Sequence, residues 1–217
     1  LLTVFPSVVT GASISGQSRI NINAKSPMSG AIGDSQGGGF FPAELKFAGF
    51  DGIVIRGKSP KPVYLWLHNG EAELRDAAHL WGKSTRVVDA MLKEEVGDAK
   101  AQVAQVGPAA EKGVLYASIV NMVNRNNGRT GMGAVMASKN LKAVVVRGTN
   151  KVVAADPAKL TALARQGAKD IKDNPDVDGL AQHGTASVVG YQNETGTFPT
   201  RNYNEGQFEG VDKITGE

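Results

Sequence analysis

The chain has 217 residues, 41% of them hydrophobic and 21% charged, with a formal net charge of +3; this is the composition of a soluble protein with room for one full domain and part of another. Lys and Arg are dispersed rather than massed, which argues against nucleic acid as a partner, and no apolar stretch approaches a bilayer span or a signal peptide, so no membrane is implied and a cytoplasmic setting is expected. The absence of cysteine excludes disulfides, thiolate catalysis and iron–sulfur ligation by these residues.

In chain order, Ile20 to Ala24 reads as a strand ended by Lys25-Ser26-Pro27, and the glycine cluster Gly33 to Gly39 as a turn or close-approach loop. Pro42, Leu45, Ala48 and Gly49 outline a short helix, and Gly52 to Ile55 a buried-type strand. Val63 to His68, Asn69-Gly70 and Ala72 to Leu74 predict a hairpin. Val88, Leu92 and Val96 share one face of a helix that starts at Thr85 and stops at Gly97. Val103 to Val106 and Val114 to Val120 read as strands around Gly107-Pro108, Asn124 to Gly133 as a polar loop, and the residues up to Lys139 as a short helix. Leu141 to Val146 is a buried strand, and Asp156-Pro157 opens a longer helix to about Asp173. The β pattern stops there. We therefore expect an α+β unit over residues 1–152 and the incomplete start of a helical unit over 153–217. The opening on Leu1 and the end at Glu217 lead us to expect a fragment.

Gly37 to Gly57 and Gly128 to Gly148 share one plan of glycine-rich loop, short helix, and strand closed by Arg-Gly. Ile53-Val54-Ile55-Arg56-Gly57 matches Val144-Val145-Val146-Arg147-Gly148. Such triplets also recur by chance. If the duplication is real, it predicts a pseudo-two-fold fold with two equivalent loops, suited to a ligand that is itself roughly two-fold.

Neither glycine cluster is a dinucleotide fingerprint or a phosphate loop. Both offer backbone amides at helix entries, with Arg19 and Lys25 before the first and Arg125 and Arg129 flanking the second, an arrangement suited to phosphate or carboxylate. The plainer reading is tight turns with solvated cations, and the residues alone leave both open. His68, His79 and His183 show no metal-ligand spacing, no carboxylate dyad stands out among Asp34, Asp51 and Asp76, and no nucleophile with its base can be named.

Several ordered stretches carry a resemblance. Lys25-Ser26-Pro27-Met28-Ser29-Gly30, then Gly38-Gly39-Phe40-Phe41 leading into the run from Glu44 to Gly52, is similar to the first signature of the aldehyde:ferredoxin oxidoreductase family. Lys61-Pro62-Val63-Tyr64, Leu80-Trp81-Gly82-Lys83 and Val106-Gly107-Pro108-Ala109 follow in the family's order. The segment from Arg125 to Arg129, with Gly133 to Met136 and Ser138 to Ala143, resembles the second signature, and Gly196 to Asn202 resembles a later segment.

The resemblance implies the pterin-cofactor-binding amino-terminal domain of an enzyme that oxidises small aldehydes to carboxylic acids. Tungsten or molybdenum would be held by two pterins. A [4Fe–4S] cluster ligated outside this chain would pass electrons to ferredoxin, and the remainder of the polypeptide or further subunits would complete the enzyme, so the fragment alone would be inactive. Carried over by residue, Arg19 and Gly38 match pterin contacts in the first loop, and Arg125, Asn126 and Gly128 contacts in the second. Gln36 and Asn126 fall where main-chain carbonyls bind a Mg²⁺ that bridges the pterin phosphates. Both depart from the family's side chains there, asparagine at the first and alanine at the second, which leaves the substrate open. Two other functions also stay open: a metallopterin carrier or assembly module, and a non-catalytic anion-binding domain.

Overall fold

Apolar alternation and continuous apolar runs become strands in the computed structural model, which describes residues 1–216. β1 (Leu2–Pro6), β2 (Arg19–Lys25) and β3 (Ile32–Gly38) form an antiparallel meander, and after α1 (Phe41–Phe47) the short β4 (Ile53–Ile55) returns beside β1. β5 (Val63–His68) and β6 (Glu71–Asp76) make the expected hairpin, with both turn residues, Asn69 and Gly70, at positive φ. There follow α2 (Thr85–Glu95), β7 (Gln102–Gln105), α3 (Pro108–Glu111), β8 (Ile119–Asn121), β9 (Arg125–Asn127), α4 (Met132–Ser138) and β10 (Leu141–Arg147). The strands make two sheets, ordered β3-β2-β1-β4 and β6-β5-β10-β7-β8-β9.

Counted inward from β3 and from β9, the order β3-β2-β1-β4 is repeated as β9-β8-β7-β10, with every neighbouring pair antiparallel. α1 and α4 occupy the same place in each half. The duplication therefore reaches back over strands that the sequence repeat did not include, β1 and β2 in the first half and β7, β8 and β9 in the second. The mixed α+β class is as expected, and the β5–β6 hairpin extends the second half by pairing β5 parallel to β10.

One core lies between the two sheets. Leu2, Val4, Ile20 and Ile22 from the first meet Leu67, Ile119, Val144 and Val146 from the second, with Phe41 and Leu45 of α1 and Met132 and Met136 of α4 among them. A second core covers the other face of the larger sheet, where Val88 and Leu92 of α2 pack on Tyr64, Val103, Ala143 and Val145. β10 is buried on both faces, which is why its sequence is continuously apolar instead of alternating.

Four expectations need correction. Gly33 to Gly39 is mostly strand, because β2 supplies a ladder partner for every residue from Ile32 to Gly38; tertiary pairing overrides weak glycine propensity. Arg125 to Asn127, expected within a loop, pairs with β8. Of Val114 to Val120 only the last two residues are strand, since Pro108 starts α3 and turns follow it. β4 is an edge strand with Val54 half exposed, not a buried one. The apolar start of the chain, to which the sequence reading assigned no element, is β1, an inner strand of the first half.

The matched Arg-Gly ends differ in use. Arg147 ties the end of β10 to α1 through Glu44 at 2.8 Å and to Asp98 at 2.7 Å. The Lys100 amide first, and Arg147 second, hold the Asp98 carboxyl below the ordinary carboxylate range. At β10's other end the pairing with β5 shifts register between Leu141 and Ala143, and Lys142 points inward with no exposure. A bulge re-aims a side chain in this way. Its Nζ pairs with the buried Glu111 carboxylate and donates to the Val106 carbonyl at 2.9 Å, while Glu111 also accepts from the Gly82 amide at 2.7 Å.

The chain divides into two compact units, Leu1–Pro157 and Ala158–Glu217. The second contains α5 (Pro157–Lys172, which begins at the division), α6 (Pro175–His183) and α7 (Val189–Glu194), none of which has a buried residue. No helix among the described residues is long and apolar enough to cross a membrane.

Lys142→Ala should lower stability by about 3–5 kcal/mol, because it leaves Glu111 charged and buried without its partner. Lys142→Met combined with Glu111→Gln should recover most of that, since Gln keeps an acceptor for Gly82. Urea unfolding of the three proteins is the check, and a single variant as stable as wild type would contradict the role of the pair.

Candidate functional site

The duplicated halves meet where β3 and β9, each the edge of its sheet, run side by side. Ladder register defines which residues correspond. Val4 lies opposite Ile22 and Ile53, and Ala104 opposite Asn121 and Val144. Ile22 then faces Ser35, and Asn121 faces Arg125. One step along each strand, Gln36 corresponds to Asn126, and after them Gly37 corresponds to Asn127. The sequence repeat had paired Gly37 with Gly128. The difference is one residue, inserted between β9 and α4, because Ile53 and Val144 keep the sequence offset.

The two edge strands run in opposite directions about the Gly37–Asn127 contact. Gly39 lies against Arg125 and Asn121, Gly37 against Asn127, and Gly33 against Thr130. The seam is closed by side chains bonding to backbone rather than by a ladder. Asn127 Nδ2 donates to the Ser35 carbonyl at 2.8 Å, the Arg129 amide to Ser35 Oγ at 3.1 Å, Thr130 Oγ1 to the Asp34 carbonyl at 3.0 Å, and Ser26 Oγ to the Thr130 carbonyl at 3.0 Å.

Above this seam lies an open cavity of about 750 Å³ lined by Arg19, Asp34 and Gln36 from the first half and by Asn126, Gly128 and Arg129 from the second. Strand alternation explains the set: Asp34 and Gln36 point to the exposed face of β3, and Ser35 and Gly37 to the buried one. Among the described residues, Arg19, Arg125 and Arg129 enter no ion pair with a carboxylate. Guanidinium groups left unpaired beside an open polar cavity, with a side-chain-free Gly128 in its lining, fit a ligand with phosphate-type oxygens.

Of the residues expected at the site, Arg19, Gln36, Asn126 and Gly128 share this cavity. Gly38 pairs with Arg19 in the ladder just beside it. Arg125 is exposed on the flank of β9, against Gly39, and does not line the cavity. Arg129 does, and the sequence had marked it only as a flanking cation. The β8–β9 turn adds an unforeseen feature: Met122 and Val123 both have positive φ, at 52° and 64°, a strained conformation for such side chains. Met122 Sδ accepts from the Phe40 amide at 3.0 Å across the seam.

Two of the three histidines, His68 and His79, have carboxylate partners. The Asn69-Gly70 turn sets His68 opposite Glu71, and its Nε2 lies 3.4 Å from Glu71 and 3.1 Å from Glu73; the three ligand-type atoms lie within 4.8 Å of one another. The hydrogen bond from His68 first, and that from Arg75 second, hold the Glu73 carboxyl below its ordinary range. His79 pairs with Glu95 at 3.1 Å. Hairpin register carried the first of these signals.

Comparison with known proteins matches residues 1–148 to the family described as aldehyde ferredoxin oxidoreductase, N-terminal domain, and residues 162–217 to the same family's domains 2 and 3. A tungsten-containing aldehyde ferredoxin oxidoreductase of Pyrococcus abyssi is 45% identical over 96% of the chain, and that of Thermococcus kodakarensis 43% over all of it. The chain spans 35% and 36% of their respective lengths, about a third of the curated relatives it matches. Among solved structures, the active-site complex BamBC of benzoyl coenzyme A reductase, with 1,5-dienoyl-CoA, is similar with a TM-score of 0.76 and 41% identity, over 79% of this chain and 26% of that one.

Inorganic pyrophosphate, as a probe for paired phosphates, should bind the cavity in the complete protein stripped of small ligands. Arg19→Ala and Arg129→Ala should each weaken it about 10- to 100-fold, from the loss of a charge-assisted contact of roughly 1.5–3 kcal/mol. Calorimetric titration at fixed low salt measures this, and equal affinity in all three proteins would remove the cavity from consideration as an anion site.

Proposed function

Because the chain belongs to the aldehyde ferredoxin oxidoreductase family, we propose that it is the base on which a tungsten- or molybdenum-bearing pair of pterins rests in a larger oxidoreductase. The observation that carries this reading is the register equivalence of Gln36 and Asn126 across the seam, both on one cavity with unpaired arginines. Two equivalent backbone positions suit two equivalent cofactor halves. Through their main-chain carbonyls Gln36 and Asn126 would hold a Mg²⁺, a hard cation that takes oxygen ligands. Arg19 neutralises phosphate from the first half and Arg129 from the second, while Gly38 and Gly128 let the ligand approach the backbone. Arg125 contacts the second pterin from the flank of β9.

When bound, the metallopterin supplies the redox chemistry, the two-electron oxidation of an aldehyde to a carboxylic acid. The residues of this chain bind and orient it, with no acid, base or nucleophile assigned among them. The [4Fe–4S] cluster and the ferredoxin contact belong to the rest of the polypeptide, and the setting is cytoplasmic. Domain limits follow the same reading, with cofactor binding over 1–152 and the start of the helical part after it.

A second reading has its own support. Identity to the benzoyl coenzyme A reductase active-site complex is 41%, the same as to the tungsten-containing aldehyde ferredoxin oxidoreductase of Pyrococcus furiosus. A cofactor base of the same family would then serve reduction of an aromatic acyl thioester in place of aldehyde oxidation. Assay of the complete protein with both substrate classes separates the two.

In the complete protein, Arg19→Ala and Arg125→Ala should lower tungsten or molybdenum and pterin content more than they lower the unfolding midpoint. Elemental analysis with pterin fluorescence measures the content, and unchanged loading in both would count against the assignment. Residues 1–217 alone should not reduce viologen dye with aldehyde. Sustained turnover by this chain would show that the later domains are dispensable.

A further inference from the structure

Gly37 and Asn127 occupy corresponding positions in the two halves, and they also touch each other across the seam. Corresponding residues in contact lie on the axis that relates the halves. Two side chains placed there would compete for one volume. A Cβ on Gly37 would lie 2.6 Å from Asn127 Oδ1 and 3.1 Å from its Cγ, well inside contact distance. One half must therefore carry no side chain at this point.

The side chain that remains is an unusual choice for filling space. Asn127 has no exposed surface, and its Oδ1 is buried without a partner, an arrangement that costs about 1–3 kcal/mol relative to a satisfied acceptor. Leucine is close to the same shape and carries no such cost. What asparagine adds is the bond from Nδ2 to the Ser35 carbonyl at 2.8 Å. That carbonyl belongs to the Ser35–Gln36 peptide, and the backbone nitrogen of Asn127 belongs to the Asn126–Asn127 peptide. One amide thus links the stretches that bear the Gln36 and Asn126 carbonyls.

We propose that Asn127 is a positioning residue that holds the Gln36 and Asn126 carbonyls at one separation for a shared cation, with Gly37 as the gap that admits it. This rests on the proposed Mg²⁺ bridge. Groups that orient metal ligands without touching the metal typically change affinity by about 10–100-fold when removed. The backbones of the halves correspond at this position, so the strut should work from either side: in Gly37→Asn with Asn127→Gly, the new amide at 37 would reach the Arg125 carbonyl, the counterpart of Ser35.

The test uses the complete holoprotein, with Mg²⁺ retention under EDTA dialysis as the main measurement and thermal unfolding beside it. Asn127→Leu should lose Mg²⁺ about tenfold faster or more, while its unfolding midpoint stays near wild type, a split that a packing role would not produce. The exchanged pair should return Mg²⁺ loss to within about threefold of wild type. If Asn127→Leu fails to accumulate, the exchanged pair decides alone: wild-type-like retention supports the strut, and rapid loss or failure to fold overturns it. Wild-type retention in a folded Asn127→Leu overturns the strut and leaves the cofactor reading intact. A wild-type holoprotein without Mg²⁺ overturns the bridge and the strut together, while Arg19→Ala still reports on pterin binding.

Discussion

The arrangement depends on one constraint, that two corresponding sheet edges meet along an axis where there is room for a single side chain. An exposed edge strand is a row of unpaired backbone groups that invites foreign pairing. Here β3 and β9 cover one another, but they are held by Asn127, Ser35, Thr130 and Ser26 rather than by ladder bonds. The absence of a continuous ladder leaves Gln36 and Asn126 on the open face of the seam. A paired sheet at the same place would commit more of that backbone to its neighbour.

The rest of the unit makes the seam rigid. α1 and α4 lie in the core between the sheets, so each half's helix packs on residues of both. Arg147 carries a tie from the second half to Glu44 of the first, and the corresponding Arg56 enters no ion pair among the described residues. The symmetry is therefore one of backbone and core, and it is broken in the polar side chains. Arg19 and Arg129 reach the same cavity from non-corresponding positions.

Much of the fold was legible in the sequence because its signals are local. Asn69-Gly70 requires a hairpin, the Val88 and Leu92 spacing requires a helix face, and a strand buried on both sides reads as the continuous run from Leu141 to Val146. The family was legible from ordered motifs, and half of the duplication from matching Arg-Gly strand ends. By itself, then, the sequence determined the class and most elements, and it singled out Arg19, Gln36, Asn126 and Gly128, which share one cavity. Only the tertiary structure decided that Gly33 to Gly38 is a strand, that Arg129 rather than Arg125 faces the cavity, and that Gly37 corresponds to Asn127 instead of Gly128. Each of those is a matter of register between strands far apart in the chain, and a one-residue step in register turns a side chain to the opposite face, a distinction that composition and local spacing do not carry.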